Sequence, residues 1–371
     1  MWMEDSKGKI GIKEFIAIII LTIGTKLTDD TTVILYKQME NAAWMSPFVI
    51  CAFSILPIFL LIKVMNIYEN KNLADVINQL FGRFFGFFTV MILWFLLFSA
   101  LTIDSAVYTD IISTMYFEKT PVIMIYGLLM LVSAFGAKKG IEHIGSVAWS
   151  VIFWIKLSLL AALILTFMQG EILFLFPIFG NGAWEVVKES SLRTSLNAEF
   201  LYLGLIFPYL KNKKDYKKGT WIALAIITTE LSFSLAAFIM LFDHKGIQLM
   251  DFPFHETIRY IEIGFLENIE TFFFPFWLIA SFIRFAFYLY LTAILFGSLF
   301  SIRNFEHLLP IIATLVVFLG IIPENPTFTI FKLRESLLFI TTPIFIILPF
   351  LLWAAAKLKG EFKNEKAKAS D

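Results

Sequence analysis

A chain of 371 residues in which 58% are apolar, 43 are Phe and only 16% are charged has too little polar surface to cover a water-soluble core, so a bilayer must act as its solvent. With 30 Lys and Arg against 30 Asp and Glu there is no formal net charge, and nucleic-acid binding would need a basic face. A single cysteine, Cys51 in an apolar run, excludes an intrachain disulfide and a thiolate metal site. His143, His244, His255 and His307 are scattered without ligand spacing. No HExxH, GxSxG or phosphate-cradling glycine loop occurs, so neither an enzyme nor a bound cofactor or metal is expected.

A spanning helix needs about 20 mainly apolar residues. In chain order ten segments qualify: 12–35, 45–64, 83–113, 121–136, 141–168, 194–210, 219–242, 271–300, 307–322 and 335–357. The first follows Lys7, Lys9 and Lys13 but runs on without a cleavage motif, so it reads as a retained helix rather than a signal peptide. Basic residues collect in alternate loops, notably Lys211, Lys213, Lys214, Lys217 and Lys218 and the lysines from Lys357 onward. With the N-terminus inside, the inside segments hold more than twice as many Lys and Arg as the outside ones, which include Arg334. The positive-inside rule then places both termini in the cytoplasm.

Two stretches outside the spans match when the chain is cut into five plus five. Asn72 to Phe81 has Leu73, Val76, Ile77, Leu80 and Phe81 at helical spacing, which predicts an amphipathic surface helix. Phe254 to Ile269 carries Ile258, Ile261, Ile263, Phe265 and Leu266 among polar residues and falls on the opposite face of the membrane. An odd number of helices per half with matched surface helices on opposite sides is the pattern of an inverted repeat, here 1–168 and 182–357 with a tail at 358–371. The first span of each half is interrupted: ILTIGTKLTDD breaks at Gly24, and the sixth span carries Glu199, then Gly204 and Pro208. Broken helices expose backbone groups that bind a small zwitterion or ion. The alternative is that the glycines only allow close packing and Pro208 ends a helix.

Charged groups at bilayer depth cost at least about 2.5 kcal/mol unless paired or wet, so each is a functional candidate. Lys26 precedes Asp29 and Asp30 by three and four residues, a spacing that lets one helical face neutralise itself. Asp104 ends an apolar strip that includes Leu96, Ala100 and Ile103. Arg284 shares a face with Trp277, Ser281 and Tyr288, and is a candidate partner of Asp104; Glu199 and Lys156 are a second candidate pair. The alternative for all four is an ion-pair network that only fixes helix register. The aromatics from Phe272 to Trp277 read most simply as lipid-facing or packing residues.

The strings KIGIKEFIAIIILTIGT, NAAWMSP, NLADVINQLFGR, FEKTP, AEFLYLGLIFPYLKNKK and ETFFFPFWLIASFIRFAFYLY together resemble the B subunit of bacterial spore nutrient-germinant receptors, over essentially the whole chain. That family is similar in fold to the amino acid/polyamine/organocation transporters. The resemblance implies an all-α membrane protein of ten helices in a 5+5 inverted, LeuT-like arrangement, residing in the spore inner membrane. It implies a small nutrient ligand, usually an amino acid, and as partners an A subunit and a lipoprotein C subunit. The family's pocket maps here onto Gly24 and Thr25, Leu96, Ala100 and Asp104, Glu199 to Leu203 with Tyr202 among them, and Arg284 with Tyr288. Because Asp104 and Arg284 charge this pocket, a polar amino acid or a nucleoside is also compatible. The competing expectation is a proton- or cation-coupled amino acid permease, and a third is a scaffold with a vestigial pocket.

Overall fold

A computed structural model describes residues 8–68, 70–261, 270–323 and 329–362. Its elements are helical, with one isolated β-bridge among the described residues. Six stretches are long and apolar enough to cross a bilayer unaided. With two shorter apolar helices and two interrupted ones, the described residues make ten passages.

The first passage is α1 (Ile12–Ile23) followed by a tight turn and α2 (Thr31–Met39). Seven consecutive side chains of α1, from Ala17 to Ile23, are buried, as befits a helix that is apolar all round and lies at the centre of a bundle. It stops because polar side chains offer its backbone other partners. The Thr25 hydroxyl donates to the Leu21 and Thr22 carbonyls (3.1 Å each) and the Thr28 hydroxyl to the Thr25 carbonyl (2.7 Å), while Asp29 Oδ1 accepts the Thr31 amide (2.9 Å).

The chain continues through α3 (Ser46–Ile67), α4 (Leu73–Ile111), α5 (Val122–Lys138) and α6 (Ile141–Gln169). The predicted surface helix is the start of α4, capped reciprocally by Asn72 and Asp75 and separated from the span by Gly82 at φ 79°. The sixth passage differs from expectation. It begins at α7 (Ala183–Leu192), is interrupted from Arg193 to Ala198, and resumes as α8 (Glu199–Tyr202) and two tight turns ending at Tyr209. The polar run Glu185, Lys188 and Glu189 hid α7 from a hydropathy reading. Gly204 and Pro208 lie in the tight turns, beyond the main interruption.

The second half continues with α9 (Lys213–Ile247), α10 (Pro253–Tyr260), α11 (Glu270–Phe300), α12 (Leu309–Gly320) and α13 (Glu335–Leu358). Part of the second surface stretch, including Ile263, Phe265 and Leu266, and most of the 358–371 tail lie outside the described residues. The most apolar stretch of α11 is 83% buried against 22% for that of α6, so α11 is the axis of the bundle and α6 faces lipid. Phe84 and Phe85, 68% and 69% exposed, are tolerable only where the surroundings are hydrocarbon. At one end, Ile10 donates its amide to the Tyr209 carbonyl and accepts the Lys211 amide, both at 2.9 Å. This clasp ties the foot of α1 to the end of the second broken helix.

Gly82 has open space where a Cβ would stand, so a side chain there meets only the backbone penalty of positive φ. Gly82→Val is expected to cost about 1–3 kcal/mol, read as a lower melting temperature in detergent. Gly127→Ala, also in open space and at ordinary φ, leaves the melting temperature unchanged or slightly higher.

Candidate ligand site at the crossing of two broken helices

Five charged side chains from four segments meet at the first break. Arg284 of α11, with no exposed surface, pairs with Asp104 Oδ2, approaches Asp29 Oδ2 at 3.5 Å, and donates to Thr25 Oγ1 (2.9 Å) and Tyr108 OH (3.3 Å). Arg334, immediately before α13, donates to Asp29 Oδ2 (3.0 Å) and Thr31 Oγ1 (2.9 Å) through Nη2. Its Nη1 lies 2.8 Å from both Asp30 Oδ1 and Asp104 Oδ1. Desolvating each ion costs several kcal/mol, which only such close mutual pairing offsets.

A second group bridges the two breaks. Lys26 Nζ lies 2.5 Å from Glu199 Oε1 and donates to the Leu196 carbonyl at 2.6 Å, while Tyr288 OH donates to the same Glu199 oxygen at 2.8 Å. The Arg284 guanidinium stands over the rings of Tyr108 (5.3 Å) and Tyr288 (5.4 Å). Tyr108 stacks on Trp277, whose Nε1 donates to Thr28 Oγ1 at 2.8 Å. Of the buried polar atoms here without a hydrogen-bond partner, Asp30 Oδ1 and Arg334 Nη1 face each other as an ion pair at 2.8 Å and Asp30 Oδ2 lies beside them, while Glu199 Oε2, an acceptor, and Arg284 Nε, a donor, stand apart from that pair. Both Glu199 and Arg284 contact Tyr288, through its hydroxyl and its ring respectively.

The second break is held by α13. Ser195 donates its amide to Thr342 Oγ1 (3.2 Å) and its hydroxyl to the Leu338 carbonyl (2.7 Å), Thr342 Oγ1 donates to the Leu192 carbonyl (2.8 Å), and Arg193 pairs with Glu335 at 3.1 Å. The first turns of α13 and the residue before them therefore close both breaks. A cavity of about 20 Å3 borders Lys26, Leu196 and Asn197, and another of about 40 Å3 borders Gly24, Thr25, Lys156 and Trp277. Each holds at most a few waters.

The residues singled out in the sequence fall as follows. Asp104 and Arg284 are brought together. Lys26 reaches Glu199 rather than its helical neighbours Asp29 and Asp30, which the Arg334 guanidinium takes instead. Lys156 pairs not with Glu199 but with Glu230 at 2.5 Å, beside Gly24. Tyr202 OH donates to the Leu93 carbonyl at 3.1 Å and Leu203 is buried. Leu96 and Ala100 are half-buried, two turns and one turn from Asp104. Arg334 abuts the apolar run of the tenth span, and in the sequence that position reads as an outside loop residue. The signal for it was the pair Asp29 and Asp30, which needs more cation than Lys26 supplies.

Above Trp277 sits His255 of α10, fully packed, its Nδ1 2.9 Å from Tyr116 OH and its ring edge-on to Trp277. Burial pushes this imidazole down to about 3, from an ordinary value near 6.5. The folded state thus keeps it neutral, and the stability it gives is whole above about pH 6.5 and is lost as pH falls toward 3. Amide exchange in 253–260 is expected to rise over that window in the wild type, and to lose this pH dependence in His255→Phe. Arg334→Met leaves Asp29, Asp30 and Asp104 to one guanidinium and is expected to cost about 3–5 kcal/mol, measured by thermal unfolding.

Comparison with known proteins gives the family and the fold. The family model described as "Spore germination protein" matches residues 11–329. Spore germination protein KB of Bacillus subtilis (strain 168) is 27% identical over 98% of this chain and 99% of its own. Among solved structures, MhsT in complex with L-phenylalanine superposes with a TM-score of 0.66 at 14% identity, covering 92% of this chain and 88% of MhsT. Mhp1, a nucleobase-cation-symport-1 family transporter with bromovinylhydantoin bound, gives 0.59 at 13%, covering 89% and 77%. The likeness to these two solved structures assigns the fold of LeuT-type transporters, that of an all-helical polytopic membrane protein. The chain belongs to the spore germination protein family.

Proposed function

We propose that this protein is the nutrient-sensing subunit of a spore germination receptor, that its ligand is an amino acid, and that the ligand docks where the two broken helices cross. The observation that carries this reading is the pair of unpartnered buried atoms beside Tyr288. Glu199 Oε2 is an acceptor for an ammonium group and Arg284 Nε a donor for a carboxylate, so together they complement a zwitterion. Buried polar atoms are almost always paired, and a ligand that pairs both is favoured. The solved relative MhsT holds L-phenylalanine, which supports the same ligand class.

The neighbouring cavities are smaller than an amino acid, so the ligand enters by displacing side chains at the crossing. A ligand shifts an equilibrium only through its differential affinity for two states. Here the state favoured is one in which the crossing is wider, and that change is the signal passed to an A subunit and a lipoprotein C subunit in the spore inner membrane. The two halves, 1–168 and 182–357, are inverted repeats, and both termini face the cytoplasm with the 358–371 tail.

Spores carrying this receptor alone are expected to germinate with an L-amino acid in a nutrient screen. Glu199→Gln removes one charge-assisted contact worth about 1.5–3 kcal/mol, which raises the effective nutrient concentration about 10- to 100-fold. Germination with sugars or nucleosides only would overturn the ligand class. Saturable accumulation of the nutrient by the purified chain in proteoliposomes would replace sensing with transport.

A further inference from the structure

The side chain of Lys26 leaves the first break and ends in the second. Its Nζ contacts two oxygens there, the Leu196 carbonyl at 2.6 Å and Glu199 Oε1 at 2.5 Å. Leu196 lies in the single tight turn Thr194–Asn197 that separates α7 from α8, four residues past the end of α7. In transporters built on broken helices, unwound carbonyls of this kind coordinate the coupling cation. In this chain an ammonium of the protein itself stands against them.

We propose that Lys26 is a tethered cation: its ammonium fills a monovalent-cation site made by the Leu196 carbonyl and the Glu199 carboxylate, so the wild-type chain needs no sodium or potassium ion there, and a chain without the ammonium takes one up. Two further observations support the site. Glu199 keeps its second oxygen buried and unpartnered, available to a cation as a second ligand atom. The cavity of about 20 Å3 beside Lys26 is bordered by Thr31, Thr32, Asn197 and Thr228, which supply hydroxyl and amide oxygens, and it has room for about one water. Hard cations take oxygen ligands of these kinds. Lys26→Ala removes the ammonium and three of the four stem carbons, joining the vacated volume to this cavity. The inference stands on geometry alone and does not depend on whether the ligand is an amino acid or whether the chain senses or carries it.

The test compares thermal unfolding of purified wild type and Lys26→Ala in choline, sodium, potassium and ammonium chloride at equal ionic strength. The wild type is expected to melt at the same temperature in all four. Lys26→Ala is expected to melt lower in choline and to regain stability saturably with at least one of the small cations. A wild type stabilised by sodium or potassium over choline overturns the proposal, as does a Lys26→Ala chain that no small cation stabilises. A second variant, Lys26→Met with Glu199→Gln, removes cation and carboxylate together. It is expected to fold in choline without any cation response; a sodium or potassium response in that variant also overturns the proposal.

Discussion

The break in the first spanning helix leaves two adjacent carboxylates, Asp29 and Asp30, fully buried at the centre of the bundle, and much of the surrounding structure answers that charge. Two guanidiniums converge on them, Arg284 from α11 and Arg334 from the approach to α13, and both also contact Asp104 of α4. Buried ions of this kind are tolerable only when every partner is in place. The position of α13 is thereby fixed by the first break. Having been fixed, the same segment supplies Leu338, Thr342 and Glu335 to the second break. The two interruptions are therefore not independent: moving α13 loosens both.

This arrangement bears on the sensing role proposed above. Interfaces and packed cores move between discrete arrangements rather than deforming continuously. The crossing is closed by the protein's own ion pairs, with cavities for a few waters only. On the reading proposed above, nutrient binding substitutes ligand contacts for part of that closure. The change is then felt along α11, which carries Arg284, Tyr288 and Trp277, and at α13. The Ile10 clasp to Tyr209 and Lys211 joins the two broken helices at their other end, so motion at the crossing has a defined lever on that face.

Much of this was legible in the sequence, for identifiable reasons. Long apolar runs report spans because hydrocarbon gives backbone groups no other partner, and α3, α4, α6, α9 and α11 appear close to where they were expected. Gly24 and the polar TKLTDD that follows marked the first break because threonines and aspartates compete for the backbone locally. The second break was misplaced, since α7 is polar enough to look like a loop and Gly204 and Pro208 drew attention downstream. Pairings were the least legible layer. Sequence spacing identifies neighbours on one helix, but Lys26 with Glu199 and Arg334 with Asp29 join residues far apart in the chain, and only the packing of helices decides them. Arg334 escaped because its position at the edge of an apolar run is where ordinary interfacial arginines also sit.

In the function proposed above, the acceptor at Glu199 and the donor at Arg284 together read a zwitterion. Calorimetric titration of the purified wild-type chain with the L-amino acid that triggers germination, and then with its decarboxylated and its deaminated analogues, tests this most directly. Saturable binding of the amino acid is expected, with a loss of at least tenfold in affinity when either charged group is absent. Equal affinity for the amino acid and both analogues would contradict it.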